Sequence, residues 1–248
     1  MADEIVFVGT GVSTGIPVLC HLNGVCSVCS DALTNYQSPN RRNNVSIFLH
    51  TAEQNQNILI DCGKTFREAF LRTLSRRKLT SLNYLLLTHG HADAIDGIDD
   101  IRDLQSFDNV GQFVSCRNPV KTYLTAETLK TITQRVAYIA EASERVKQNP
   151  TVALARRVTC LDFHVLASDR EVLHFVPPGT EKFGGFHSLP VIHGEGYYSL
   201  GFAFGITTKA VYLSDVSEIC VGTLEFLKGI GDIDILIVDC LLGPGKTH

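Results

Sequence analysis

The sequence predicts a sheet-rich α/β fold held in one domain. Short apolar runs rich in β-branched residues recur from Ile5 to Val238, punctuated by glycine and aspartate. Two longer stretches repeat apolar residues at helical spacing. The 248 residues, 44% of them apolar, contain no internal repeat, low-complexity tract or long linker. A chain of this length and composition is not disordered and needs no disulfide framework to hold a core.

Residues 5–8 open as a strand and run into Gly9, Gly11 and Gly15, a loop whose backbone can approach a neighbour closely. Residues 45–49 and 57–60 read as a hairpin-like pair of strands, the second ending at Asp61 and Gly63. Residues 65–78 read as a helix, with Thr65 and Glu68 fitting a capping box and Phe66, Ala69, Phe70 and Leu74 on one face. Residues 84–87 form a strand that leads straight into Thr88 and His89. Residues 125–148 carry Leu129, Ile132, Val136 and Ile139 on one helical face and should cover a sheet. The second half repeats the strand-then-polar theme: 188–192 ends at His193, 201–206 and 210–213 lead to Ser214 and Asp215, and 233–238 ends at Asp239. Strands that deliver His and Asp at their C-terminal ends build a site at one edge of a sheet.

The net charge of −4 gives no general attraction for nucleic acid or anionic lipid. No apolar run approaches the roughly 18–20 residues that span a bilayer. The N-terminus has two acids where a secretory signal would be basic. These features predict a cytoplasmic protein with no membrane association. In that compartment the eight cysteines are expected to be thiols or metal ligands.

The sharpest local signal is THGHADA at 88–94. His89, His91 and Asp93 alternate after a buried strand, so two imidazoles can converge on one cation while the carboxylate reaches a neighbouring position. His193 and Asp215 each follow a strand and can complete the cluster. Three imidazoles plus a carboxylate suit zinc, manganese or iron, and a carboxylate can bridge two ions.

Asp61 in ILIDCG, THGHADA, His193 in LPVIHG and Asp215 in YLSDVS resemble, in order and spacing, the successive motifs of the metallo-β-lactamase superfamily. Within it, VGTGVSTGIPV, NRRNNVSIFL and ADAIDGIDDIR are most similar to the branch of phosphoribosyl cyclic phosphate phosphodiesterase and the tRNA 3′-processing endonucleases. The resemblance implies an αββα sandwich, two mixed β-sheets packed face to face with helices outside and metal at one edge. It also implies that His89, His91 and His193 hold a first Zn²⁺ or Mn²⁺ ion, that Asp215 bridges, that Asp93 contributes to a second ion, and that Asp61 fixes the loop and an imidazole tautomer. Two departures stand out. The family's histidine after the aspartate is Ala94 here, leaving either a one-ion site or a substitute from Asp99 or Asp100. A later family histidine has no counterpart before His248, so residues 1–248 read as a single domain lacking its C-terminal segment.

Cys20, Cys26 and Cys29 form C-x5-C-x-x-C, in which the paired thiolates can grip a tetrahedral ion. Related phosphodiesterases hold a structural zinc with three such cysteines and a late histidine, and His21 or His248 could stand in for the latter. Cys62, Cys116, Cys160, Cys220 and Cys240 read as core residues. Tyr197 and Tyr198 either line a pocket or pack; Arg41 and Arg42 either meet a phosphate or are solvated. GTGVSTG lacks the P-loop lysine, so its glycines are read as backbone requirements.

The expected activity is that of a metal-dependent hydrolase, a phosphodiesterase acting on a small phosphodiester or cyclic phosphate. Asp93 would orient the attacking water, and His248 or a later residue would protonate the leaving oxygen. The place of the cyclic phosphodiesterase's catalytic histidine is Leu242. Alternatives are a tRNA 3′ endonuclease, disfavoured by the mixed charges of 120–150, a thioester or lactam hydrolase, and a non-catalytic metal-binding protein. The expected partner is a small molecule rather than nucleic acid, with a homodimer left open.

Overall fold

Alternation along the strands decides which side chains meet. In this computed structural model, which describes residues 3–24, 26–77, 79 and 81–241, the first sheet is ordered β1 (Glu4–Gly9), β2 (Ser46–Thr51), β3 (Gln56–Ile60), β4 (Tyr84–Leu86), β7 (Val120–Leu124) and β8 (Leu161–Val165). β1, β2 and β3 are antiparallel, whereas β3, β4, β7 and β8 run parallel. A hairpin of β5 (Phe107–Val110) and β6 (Phe113–Cys116) stands apart. The second sheet is ordered β13 (Glu218–Ile219), β10 (Phe186–Ile192), β11 (Tyr198–Phe204), β12 (Ala210–Leu213) and β14 (Ile235–Val238), with β9 (Leu173–Phe175) also on β10.

Ile47, Leu49, Ile58, Ile60, Tyr84 and Leu86 of the first sheet pack against Phe186, Leu200, Phe202, Phe204 and Tyr212 of the second, forming the core between the sheets. The intervening residues Phe48, Leu59 and Leu85 face the other way. There they meet α2 (Phe66–Thr73), α3 (Ala92–Ile95), α4 (Ala126–Arg135) and α5 (Ala137–Gln148) through Phe66, Ala69, Ile95, Ile132 and Ile139. On the far side, Leu189, Val191, Val211 and Leu213 meet Phe226 and Leu227 of α6 (Val221–Gly229). The layers are therefore helix, sheet, sheet, helix, as the resemblance implied.

Three local expectations change. The capping box at the start of α2 does not form, because tertiary partners take both side chains: Thr65 Oγ1 accepts the Asn44 N–H at 2.8 Å, and Glu68 pairs with Arg41 at 2.7 Å. The stretch 125–148 is two helices broken at Val136, whose φ of −129° leaves the helical region. The break lets α4 face the first sheet while Ala142 and Val146 of α5 face a separate cluster around Cys116, Leu154 and Cys160. Of the cysteines read as core residues, Cys62, Cys116 and Cys160 are buried, whereas Cys220 is half-buried and Cys240 exposed. β14 is an edge strand paired on one side by β12, which leaves the segment before Cys240 near the surface.

Candidate metal centre

The predicted centre residues lie past strand ends at one edge of both sheets, with Asp93 in the first turn of α3. Asp61 follows β3, His89 follows β4, His193 follows β10 and Asp215 follows β12. Asp61 and Asp215 sit at φ +64° and +50°, a left-handed conformation uncommon outside glycine, so the chain is turned sharply at both carboxylates. A loop after β3 is laid directly on α3: Cys62 N donates to Ala94 O at 2.7 Å and Gly97 N to Cys62 O at 2.8 Å. Gly63 permits that approach, since a Cβ there would lie 1.9 Å from Asp93 O.

His89, His91 and His193 converge, with one ligand nitrogen from each lying within 4.8 Å of the others. Their ring centroids are 4.7, 5.1 and 5.2 Å apart. The tautomer of His89 follows from its neighbours. Thr88 gives its backbone N–H and its hydroxyl to the Asp61 carboxylate at 2.9–3.0 Å, so the same hydroxyl oxygen can only accept from His89 Nδ1, 2.8 Å away. Asp61 thus fixes the imidazole through Thr88 rather than by direct contact. His89 Nε2 is left buried with a lone pair and no hydrogen-bond partner. Burial first, then the neighbouring His91 and His193, push its pKa down to about 3, so it is a neutral donor.

Carboxylates surround this nitrogen-rich point. Asp93 Oδ1 lies 3.9 Å from His89 Nε2, and Asp215 Oδ1 lies 3.9 Å from His193 Nε2. Burial raises Asp215 to about 7, helped by the charges of Asp93 and Asp239. Burial likewise holds Asp61 well above the usual carboxylate range against the pull of its Thr88 bonds. Mutually repelling buried acids beside an orphaned imidazole nitrogen are what a divalent cation would relieve, so the donor set fits one. Ala94 is buried in α3 and offers no ligand. Neither proposed substitute replaces it: Asp99 pairs with Arg102 and Tyr138, and Asp100 with Arg67 at 3.5 Å.

A cavity of about 1070 Å³ opens over the cluster, lined among others by Arg42, Lys64, Asp93, His193, Tyr197 and Asp215. Arg41 is instead structural, bonded to Glu68 and to Ala32 O. The glycines of GTGVSTG serve close packing: a Cβ on Gly9 would lie 1.9 Å from Asn44 O. Asn44, which sequence reasoning passed over, ties that loop to the centre by donating to Val12 O and Ser13 O and accepting from Thr65 N. Thr88 and Lys64 were also missed; a hydroxyl before the first histidine and a cation two residues past Cys62 carry no periodic signal.

At the N-terminus the structure groups His21, Cys26 and Cys29 around the start of α1 (Ser27–Thr34), with ligand atoms within 4.8 Å of one another. Cys20 is exposed and outside that group. It shares a 3-10 turn, Leu19–His21, in which successive side chains point about 120° apart, so facing His21 to the two thiols faces Cys20 away from them. His21 Nδ1 lies 3.4 Å from Cys29 Sγ, and bonds from Cys29 hold the Cys26 thiol below its ordinary value. His248 and Leu242 lie outside the described residues.

A family model described as "Beta-lactamase superfamily domain" matches residues 56–246. The chain is 30% identical over 224 residues to an octanoyltransferase of Porphyromonas gingivalis (strain ATCC BAA-308 / W83), an alignment that covers 90% of the chain. It spans 37% of that relative's length. Among solved structures, a diphosphatase from the PhnP family superposes with a TM-score of 0.64 at 26% identity, covering 95% of this chain and 72% of the other. The short form of human tRNase Z shares the fold, with a TM-score of 0.57 at 18% identity over 94% of this chain and 76% of the other.

Proposed function

Because the chain belongs to the β-lactamase superfamily, we propose that it is a metal-dependent hydrolase whose substrate is a small phosphodiester. The observation that carries this reading is the orphaned, buried Nε2 of His89 converging with His91 and His193. These three residues would hold a zinc or manganese ion, with Asp215 beside His193 and Asp93 beside His89. When bound, such an ion supplies Lewis acidity and lowers the pKa of water toward neutrality. Thr88 keeps His89 in the donor tautomer, and Asp93 would accept a hydrogen bond from the attacking water and orient it.

The diester is favoured over a lactam or thioester by the cations on the cavity wall. Among the described residues the Lys64 side chain has no hydrogen bond or ion pair, and the Arg42 side chain bonds the Thr10 hydroxyl at 2.7 Å. Both are available to an anion. His21, Cys26 and Cys29 form a second proposed zinc position, structural rather than catalytic, which braces the N-terminal segment.

The test is hydrolysis of bis(p-nitrophenyl) phosphate by protein reconstituted with zinc or manganese. His91→Ala should lower turnover by more than the roughly 100-fold that loss of an outer hydrogen-bond partner costs. Lys64→Ala should raise KM about tenfold and leave kcat nearly unchanged. Metal-loaded wild type that ignores diesters and cleaves a thioester would overturn the phosphodiesterase reading.

A further inference from the structure

The turn that delivers His193 also delivers an aromatic ring. His193 N donates to Tyr197 O at 2.9 Å, and between them Gly194 and Gly196 sit at φ +81° and +68°. Nothing lies within 4 Å of a Cβ built on either glycine, so these positions require the left-handed backbone rather than space. Tyr197 then reaches across to the loop from the other sheet. Its ring lies parallel to that of His91, the planes 9° apart and the centroids 4.8 Å apart, and its phenolic oxygen accepts the Gly90 N–H at 3.1 Å. It meets His89 and His193 edge-on at 6.2 and 6.1 Å.

His91 is the histidine that needs such a neighbour. His89 is aimed by Thr88, but among the described residues the His91 ring has no hydrogen-bond partner outside the cluster, its polar contact being His193 Nε2 at 3.3 Å. A metal-binding imidazole is ordinarily oriented by a hydrogen bond on its other nitrogen. Here a stacked ring and an anchored peptide stand in that place. We infer that Tyr197 is a positioning residue: by stacking on His91 and holding the Gly90 peptide, it aims the His91 nitrogen at the point that His89 and His193 share. The inference rests on the histidine cluster being a metal centre and adds what orients one of its ligands.

The test is Co²⁺ titration of the metal-free protein, following the visible absorption that is lost in His91→Ala. Tyr197→Phe keeps the stack and loses the Gly90 acceptor, and should weaken Co²⁺ binding by about threefold to tenfold; Tyr197→Leu loses both and should weaken it by about 10–100-fold with a shifted spectrum. Loss of these contacts should lower the melting temperature of the metal-free protein in both, whereas a purely structural tyrosine would do only that and leave the Co²⁺ affinity and spectrum of the folded protein unchanged. Wild-type affinity and spectrum in Tyr197→Leu overturns the inference. Should Tyr197→Leu not fold, Tyr197→Phe decides, unchanged binding being the overturning result. A wild type with no Co²⁺ signal sensitive to His91→Ala would instead overturn the metal centre itself.

Discussion

A hydroxyl, not the Asp61 carboxylate, aims the first histidine. Thr88 is fully buried, and its single hydroxyl hydrogen is committed to Asp61, which is what leaves its lone pair for His89. Thr88→Val keeps the shape and removes that relay. It should cost about 1–3 kcal/mol in urea denaturation, because the Asp61 carboxyl is left with one bond fewer, and should weaken metal binding about 10–100-fold. Thr88→Ser should restore most of both. At this scale the sequence is informative where chemistry and position coincide: His89, His91, Asp93, His193 and Asp215 stand out because a buried apolar run ends at or just before each loop that carries them. It is silent where a residue acts only through another, as with Thr88, Asn44 and Lys64. The grouping of His21 rather than Cys20 with Cys26 and Cys29 belongs here too, since adjacent residues on a turn point in different directions.

Gly63 illustrates what an element can demand of one position. The loop after β3 lies so close to α3 that a methyl group there would overlap Asp93 O at 1.9 Å. Gly63→Ala should destabilise the fold by about 1–3 kcal/mol or more, and because it displaces Asp93 it should lower activity as well. Gly222 in α6 has nothing within 4 Å of a built Cβ, so Gly222→Ala should be neutral or stabilising by about 0.4–1 kcal/mol. Thermal melts of the two variants side by side check both. On the outer face of the second sheet, His187 of β10 packs on Phe226 at 4.7 Å and on His174 at 4.5 Å. Burial first, then His174, holds the His187 pKa below its usual 6.5. Since the folded state disfavours the proton, the stabilisation from neutral His187 is present above pH 6.5 and fades as pH falls through the folded value. His174→Gln should therefore flatten the acid limb of a plot of urea midpoint against pH. Equal slopes for the two proteins would count against this coupling.

For the molecule as a whole, the centre joins the two sheets. His89 and His91 come from the first, His193 and Asp215 from the second, and the Leu200 N–H donates to Thr88 O between them at 2.9 Å. A ligand that grips both sheets binds the folded state alone, so zinc at 100 times its Kd should stabilise the protein by about 2.7 kcal/mol. Differential scanning calorimetry with and without chelator should show a rise in the melting temperature that is smaller in His193→Ala, the part that persists belonging to the proposed position at His21, Cys26 and Cys29.

The α/β class, the strands that carry the centre and the residue types gathered at their ends are legible along the chain, because period-two burial and strand-end chemistry are both written locally. The break at Val136 and the lost capping box were not legible there, since in each case a partner distant in the chain outweighs a local preference of a few tenths to about 1 kcal/mol. Tertiary packing turns Asp99 and Asp100 to arginines instead of to the place of Ala94 and stacks Tyr197 on His91. The reason is geometric. A strand tells which way its own side chains point, whereas the meeting of two loops 100 residues apart depends on how both sheets pack.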